Sequence, residues 1–259
     1  MRTLKILTLL KKALCSLALV FLWAGVSWAC PTLQLDIAGG TYNYSGNGQT
    51  EDTIVAPGDT FTLYAFLIPN SSNKLNDTYY ISAAIVPKVG EPGENLGSFV
   101  FSGETINVTS GMTYGIPPLE IVVTQTQLWD RGDLPRHGIY YTYFAEFGFK
   151  FNESQYLASY DTALRAQNNL GIPPDSTGVN MYYVTFQVDV SGLAPGYIIH
   201  FDLYNTTIRC GNDVDVTKFA PFSHDAESKV PETSSLFLLG AGLLGVGLLA
   251  KRRRPRRLD

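Results

Sequence analysis

An all-β fold, an antiparallel β-sandwich with one short helix, is what this sequence predicts. Three observations carry that reading. Short stretches rich in Tyr, Phe, Val, Ile and Thr recur along the body of the chain, the residues that suit a pleated, half-buried surface. Gly, Pro, Asn and Asp punctuate them at turn-like intervals. In the clearest stretches apolar and polar residues alternate with period two, as a strand with one buried face requires.

The body opens with "LQLDI", a short strand from Leu33. After the turn "APGD", "DTFTLYAFLI" sets Phe61, Leu63, Ala65 and Leu67 on one face. "YYISAAIV", "GSFVF" and "LEIVVT" supply three further candidates. "IYYTYFAEFGFKF" is longer, with Tyr141, Tyr143, Ala145, Phe147, Phe149 and Phe151 on the face read as core and Glu146 and Lys150 opposite. The segment "NESQYLASYDTALRAQNNLG" breaks the period. Ser154 as N-cap, Tyr156, Leu157, Tyr160 and Leu164 at helical spacing and Gly171 beyond the end predict a short helix. "YVTFQVDV" then alternates Tyr182, Val184, Phe186, Val188 and Val190 against Tyr183, Thr185, Gln187 and Asp189. Past "SGLAPG", "YIIHFDLYN" alternates Tyr197, Ile199, Phe201 and Leu203 against Ile198, His200, Asp202 and Tyr204, and the two runs together read as a β-hairpin.

The two ends read differently. Arg2, Lys5, Lys11 and Lys12 precede an apolar run from Ala13 to Val26, and Ser27-Trp28-Ala29 offers a small-any-small cleavage pattern, the layout of a signal peptide over residues 1–29. At the other end an apolar run from Leu236 to Ala250 is followed by a basic block from Lys251. Its 15 residues span about 22 Å as a helix, against roughly 30 Å for a bilayer's hydrocarbon core. The expected organisation is a signal helix at 1–29, a sandwich domain at 30–225, a linker at 226–235, a transmembrane helix at 236–250 and a basic cytoplasmic tail at 251–259.

Between the ends, residues 30–229 hold 9 Lys plus Arg against 21 Asp plus Glu, a net of −12. Such a charge repels nucleic acid and anionic lipid and attracts divalent cations. Of the three cysteines, Cys15 leaves with the signal peptide, so Cys30 and Cys210 are expected to form one disulfide in an oxidising compartment. Cys30 follows the presumed cut directly, where a lipoprotein carries its lipid, but Ser27 and Trp28 depart from the lipobox pattern.

No catalytic motif is present: no Gly-x-Ser-x-Gly elbow, no His-Glu-x-x-His, no phosphate loop. His137, His200 and His224 share no geometry legible in the sequence. Glu120, Glu146 and Glu153 are the acids near strands that a paired-carboxylate glycosidase would need, and they read as solvated faces. The chain is therefore expected not to be an enzyme, and no cofactor is expected. Within "CGNDVDVTKFAPFSHDAES", Asn212, Asp213, Asp215 and Asp225 offer oxygen ligands that suit Ca²⁺, with Asp213 and Asp215 as the metal candidates. The tripeptide Arg131-Gly132-Asp133 is too short to carry an adhesion argument. Six sequons, at Asn43, Asn70, Asn76, Asn107, Asn152 and Asn205, would matter in a eukaryotic secretory path, but the basic C-terminus does not fit a lipid-anchor signal there.

The run "VPETSSLFLLGAGLLGVGLLAKRRRPRR" resembles the PEP-CTERM sorting signal of Gram-negative exported proteins. Val230, Pro231 and Glu232 match its motif and Thr233 stands where the second proline would. The resemblance implies an exosortase-type membrane protease as partner, tethering in the inner membrane before processing, and a destination at the cell surface or in an exopolysaccharide matrix. "LQLDIAGGTY", "DTFTLYAFL" and "FAPFSHDA" are similar to the choice-of-anchor N family, which implies no catalytic role. "APGDTFTLYAFL" and "YVTFQVDVSGLAPGYIIHFDL" resemble the strand and hairpin of cohesin-type sandwiches. The functional expectation is an exported structural or adhesive protein of a biofilm or envelope, with exopolysaccharide or surface proteins as further partners. The alternatives are a carbohydrate-binding module that stacks sugars on Tyr42, Tyr44 and Trp129, and then a polysaccharide-active enzyme.

Overall fold

The computed structural model describes residues 30–43, 52–117, 141–172, 180–209, 213–221 and 224–229. They form β1 (Leu33–Ile37), β2 (Thr41–Asn43), β3 (Thr53–Val55), β4 (Thr60–Leu67), β5 (Tyr79–Val86), β6 (Ser98–Phe101), β7 (Glu104–Asn107), β8 (Thr113–Gly115), β9 (Thr142–Phe149), β10 (Tyr156–Ala158), α1 (Thr162–Gln167), β11 (Asn180–Asp189), β12 (Ile198–Arg209), β13 (Asp213–Phe219) and β14 (Asp225–Glu227). The chain is thus mostly β with one short helix among the described residues.

Two mainly antiparallel sheets result. The first has the order β1-β4-β11-β6-β7, with β10 also on β11; the second has the order β2-β3-β14-β12-β5-β9-β8, with β13 also on β12. Of the described pairings only β14 with β3 is parallel. Register follows the apolar period. Phe61, Leu63, Ala65 and Leu67 of β4 stand opposite Val188, Phe186, Val184 and Tyr182 of β11, so the two alternating runs share one face. On the second sheet Ile199, Phe201 and Leu203 stand opposite Ile85, Ala83 and Ile81.

These two faces meet in one apolar core. Rings bridge the sheets: Phe101 stacks on Phe147 at 4.0 Å between centroids, Phe61 meets Phe201 edge-on at 6.2 Å, and Phe149 meets Phe186 edge-on at 5.1 Å. Such aromatic pairs add about 0.5–1.5 kcal/mol each beyond the area they bury.

Four expectations change. The runs either side of "SGLAPG" bury the faces predicted, but they are not a hairpin: β11 belongs to the first sheet and β12 to the second. Residues 190–197 arch from one to the other, longer than the two to five residues of a tight hairpin. The arch is pinned by Val190 N–H to the Asp59 carbonyl at 2.8 Å and by Ser98 N–H to the Gly192 carbonyl at 3.0 Å. Gly97, at φ +86°, approaches Gly192 so closely that a Cβ would strike its carbonyl. Alternation specifies which face is apolar, and an arch satisfies it as well as a hairpin does.

The helix is also shorter than expected and starts later. Asp161, not Ser154, caps it, accepting from Leu164 N–H at 2.8 Å. Ser154 instead donates to the Asn152 side chain in a turn, and Tyr156–Ala158 is extended as β10 on the end of β11. Leu164 is exposed, while Thr162, Ala163, Arg165 and Ala166 are buried. In the long aromatic run, Phe147, Phe149 and Phe151 pack on the core as expected, but Tyr141 precedes β9 and is exposed. Finally, the second sheet runs past residue 225, since Asp225–Glu227 forms β14 and Ser228 is buried, its hydroxyl accepting from Ile199 N–H at 2.9 Å. "LEIVVT" lies outside the described residues.

Phe201 touches Phe61 and Phe101 across the core and is fully buried. Phe201→Ala is expected to lower stability by about 3–5 kcal/mol, read as a lower denaturant midpoint with an unchanged slope.

Candidate functional site

The outward face of the second sheet is where polar chemistry collects. Register aligns it: Glu146 of β9 stands opposite Ser82 of β5, and Ser82 opposite Asp202 of β12. His200 opposite Glu227 and Phe201 opposite Ala226 bring Asp202 alongside Asp225 of β14, and Asp225 pairs in turn with Thr53 of β3. Cross-strand partners share a face, so Glu146, Ser82, Asp202, Asp225 and Thr53 make one polar stripe across five strands. His200 adjoins it two residues from Asp202.

Most of this stripe is out of water. Ser82, Asp202, Asp225, Thr53 and His200 are each at most 3% exposed. The Ser82 hydroxyl donates to Asp202 Oδ2 at 3.2 Å, and His200 Nε2 lies 3.6 Å from Asp202 Oδ1. Asp202 Oδ1 itself takes no hydrogen bond. One ligand-type atom from each of His200, Asp202 and Asp225 lies within 4.8 Å of the other two, so these three residues could hold a metal ion. At one end, Glu146 is exposed as a residue, yet its carboxyl is turned onto the buried Tyr204 hydroxyl, which donates to it. Burial of that carboxyl end pushes Glu146 up and burial of the phenol pushes Tyr204 well up. Burial also raises Glu227, against the pull of His200.

A second buried constellation sits on the outward face of the first sheet. All five residues of β1 are buried, so Gln34 and Asp36, on its outer side, must find partners within the protein. Asp36 receives three donors: the Arg165 guanidinium in an ion pair, the Tyr160 hydroxyl at 2.8 Å and Ile37 N–H at 2.8 Å. Gln34 donates to the Tyr160 carbonyl at 3.2 Å and accepts from Thr162 N–H at 3.0 Å. The cap Asp161 faces His224 Nε2 at 3.2 Å. Burial raises the Asp36 carboxyl to about 6, outweighing the opposing pull of Arg165. Burial likewise lowers His224, against Asp161. The arrangement clamps α1 to β1, and what it does chemically is hold the fold.

The candidates read from sequence are scattered by comparison. Asp213 and Asp215 lie on β13 opposite Arg209 and Thr207, five or more positions along β12 from Asp202, and so apart from Asp225. Sequence reading grouped Asp225 with Asn212, Asp213 and Asp215 and set His200 and Asp202 on the strand face opposite the apolar one; the structure brings Asp225 beside His200 and Asp202. Their spacing of two, on a strand whose outer face is buried, was the available signal. Glu153 is exposed in a turn, and Tyr42 is half-buried against the main core. Asn205 of the last sequon is buried and donates to Asn73 at 3.1 Å. Cys30 is half-buried ahead of β1. Cys210, Asn212, Tyr44, Glu120, Trp129, Arg131 to Asp133, His137, Val230 to Thr233, the signal segment and the apolar run 236–250 lie outside the described residues. Among the described residues no helix is long and apolar enough to cross a membrane.

No protein-family model matches the chain, and no curated protein matches it either.

Arg165→Met strands a buried carboxylate and is expected to cost about 3–5 kcal/mol, whereas Asp36→Leu with Arg165→Met should recover most of that loss in urea unfolding. The pH dependence has a definite sign. With its folded value raised from 3.8 to about 6, Asp36 contributes stability that is full below about pH 4 and lost as pH rises through 6. The stability gap between wild type and Asp36→Asn should therefore be wider at pH 4 than at pH 7, measured by urea midpoints at both.

Proposed function

We propose that this is an exported, surface-destined β-sandwich of cohesin-like topology, with a structural or adhesive rather than catalytic role in a polysaccharide-rich envelope or matrix. The observation that carries the reading is the C-terminal sequence: Val230-Pro231-Glu232-Thr233, a glycine-studded apolar run and a basic block. It follows directly on Lys229 in the sequence. The resemblance to PEP-CTERM signals makes an exosortase-type protease the first partner and the inner membrane a transient tether. The basic block keeps the tail's end cytoplasmic, which sets the Val230 motif at the outer face, within reach of a processing enzyme.

The body's chemistry agrees with that role. Its described rings mostly pack on one another inside the fold, and the more exposed tyrosines are dispersed: Tyr141 is tilted 38° from Tyr114, and Tyr156 stands 61° from Tyr182. A sugar-stacking platform needs rings that lie flat and in a row, which these two pairs do not; Tyr44 and Trp129, two of the three rings that reading would use, lie outside the described residues. The strongly acidic surface suits solubility and cation-bridged contacts in a matrix of anionic polymers.

Mass spectrometry of the surface fraction from the native host tests the reading. A mature C-terminus near Glu232 or Thr233, abolished when Pro231 and Glu232 are substituted, is the expected result. A chain that reaches Asp259 at the surface refutes processing.

A further inference from the structure

The geometry points to a divalent metal site of the zinc class at His200, Asp202 and Asp225, which joins β12 to β14 on the outward face of the second sheet. Three observations converge on it. The residue types are those that ligate borderline divalent metals: one imidazole and two carboxylates. Their ligand-type atoms lie within 4.8 Å of one another on two adjacent strands. Asp202, 1% exposed, directs toward His200 an Oδ1 that takes no hydrogen bond, while Ser82 holds the other oxygen at 3.2 Å.

The His200–Asp202 separation favours an ion between the two over a direct pair. The separation of 3.6 Å from His200 Nε2 to Asp202 Oδ1 is long for a charge-assisted hydrogen bond. It is close to the ~3.4 Å expected between two ligands of a tetrahedral zinc with bonds of about 2.1 Å. A divalent cation held here takes both carboxylates and the neutral form of the imidazole as its ligands. The imidazole argues against calcium, whose sites are built from six to eight oxygens. Ser82 acts as the outer partner that orients Asp202. Three protein ligands leave a fourth position for water.

The site is independent of the C-terminal sorting reading, since it involves neither Val230 nor any residue beyond it. Its consequence is mechanical coupling: β14 is bound to β12 by backbone pairing at two register positions and by Ser228 just beyond it, and the ion adds a link between side chains.

The test uses protein expressed from the full-length sequence, purified and stripped with a chelator, with zinc chloride as the probe. One zinc per chain is expected by titration calorimetry, with a rise in melting temperature of roughly 5–10 °C at a zinc concentration about a hundredfold above Kd. Asp202→Asn and Asp225→Asn should each weaken binding at least ~10-fold, and Asp213→Asn should leave it unchanged. Should the ligand variants fail to fold, the wild type decides through cobalt: a visible absorption band at one equivalent, displaced by zinc, supports the site. Absence of both the band and the zinc-dependent melting shift overturns it. So does zinc affinity that survives Asp202→Asn intact, or a shift with calcium and none with zinc.

Discussion

A strand that is covered on both faces has to answer its own polar side chains from inside the protein. That constraint governs β1, at the edge of the first sheet, and β12, inside the second. Each alternates apolar with polar residues, and in each the apolar set fills the common core. The outer set of β1 is Gln34 and Asp36; that of β12 includes His200, Asp202 and Tyr204, all nearly excluded from water. An unanswered buried polar group costs about 1–3 kcal/mol, so the neighbours of these strands are chosen by hydrogen-bonding need as much as by shape.

The two outer faces meet the constraint differently. On the first sheet a cation is at hand: Arg165 of α1 reaches Asp36, and Tyr160 and a backbone amide complete the set. The helix is short, six residues, and too small to be stable by propensity alone. Its place is fixed by the Asp161 cap, by Gln34 on Thr162 N–H and by the Arg165 pair, so tertiary contacts hold it. On the second sheet the neighbours of Asp202 are a hydroxyl, an imidazole and another carboxylate. One outer face is a closed clamp, and the other gathers an imidazole and two carboxylates within 4.8 Å of one another.

What the sequence discloses follows from which interactions are local. Alternation identified the inward faces of β4, β11 and β12, because a core face is written in every second residue. It could not distinguish a hairpin from an arch, since both bury the same residues and differ only in which sheet receives the second strand. It misread Tyr156 and Leu157 as helical, because their spacing also fits β10, and pairing with β11 decided between them. The clustering of His200, Asp202 and Asp225 depends on β14 returning beside β12 after more than twenty residues. No window along the chain contains that fact. The Asp36–Arg165 pair spans 129 positions and was invisible for the same reason.

The position of β14 in the second sheet also sets an order of events. Among the described pairings, β2 is joined only to β3, and β3 reaches the larger part of its sheet only through β14. A strand from the beginning of the body thus waits for one from its end. Vectorial synthesis delivers the amino-terminal strands first, but the sheet stays open at this seam until residues 225–227 have emerged. Closing it pairs segments more than 170 positions apart, the kind of distant contact that slows folding. Until then the edges of β3 and β12 remain unpaired along that seam, and the nearly finished chain has to be kept from pairing with its neighbours.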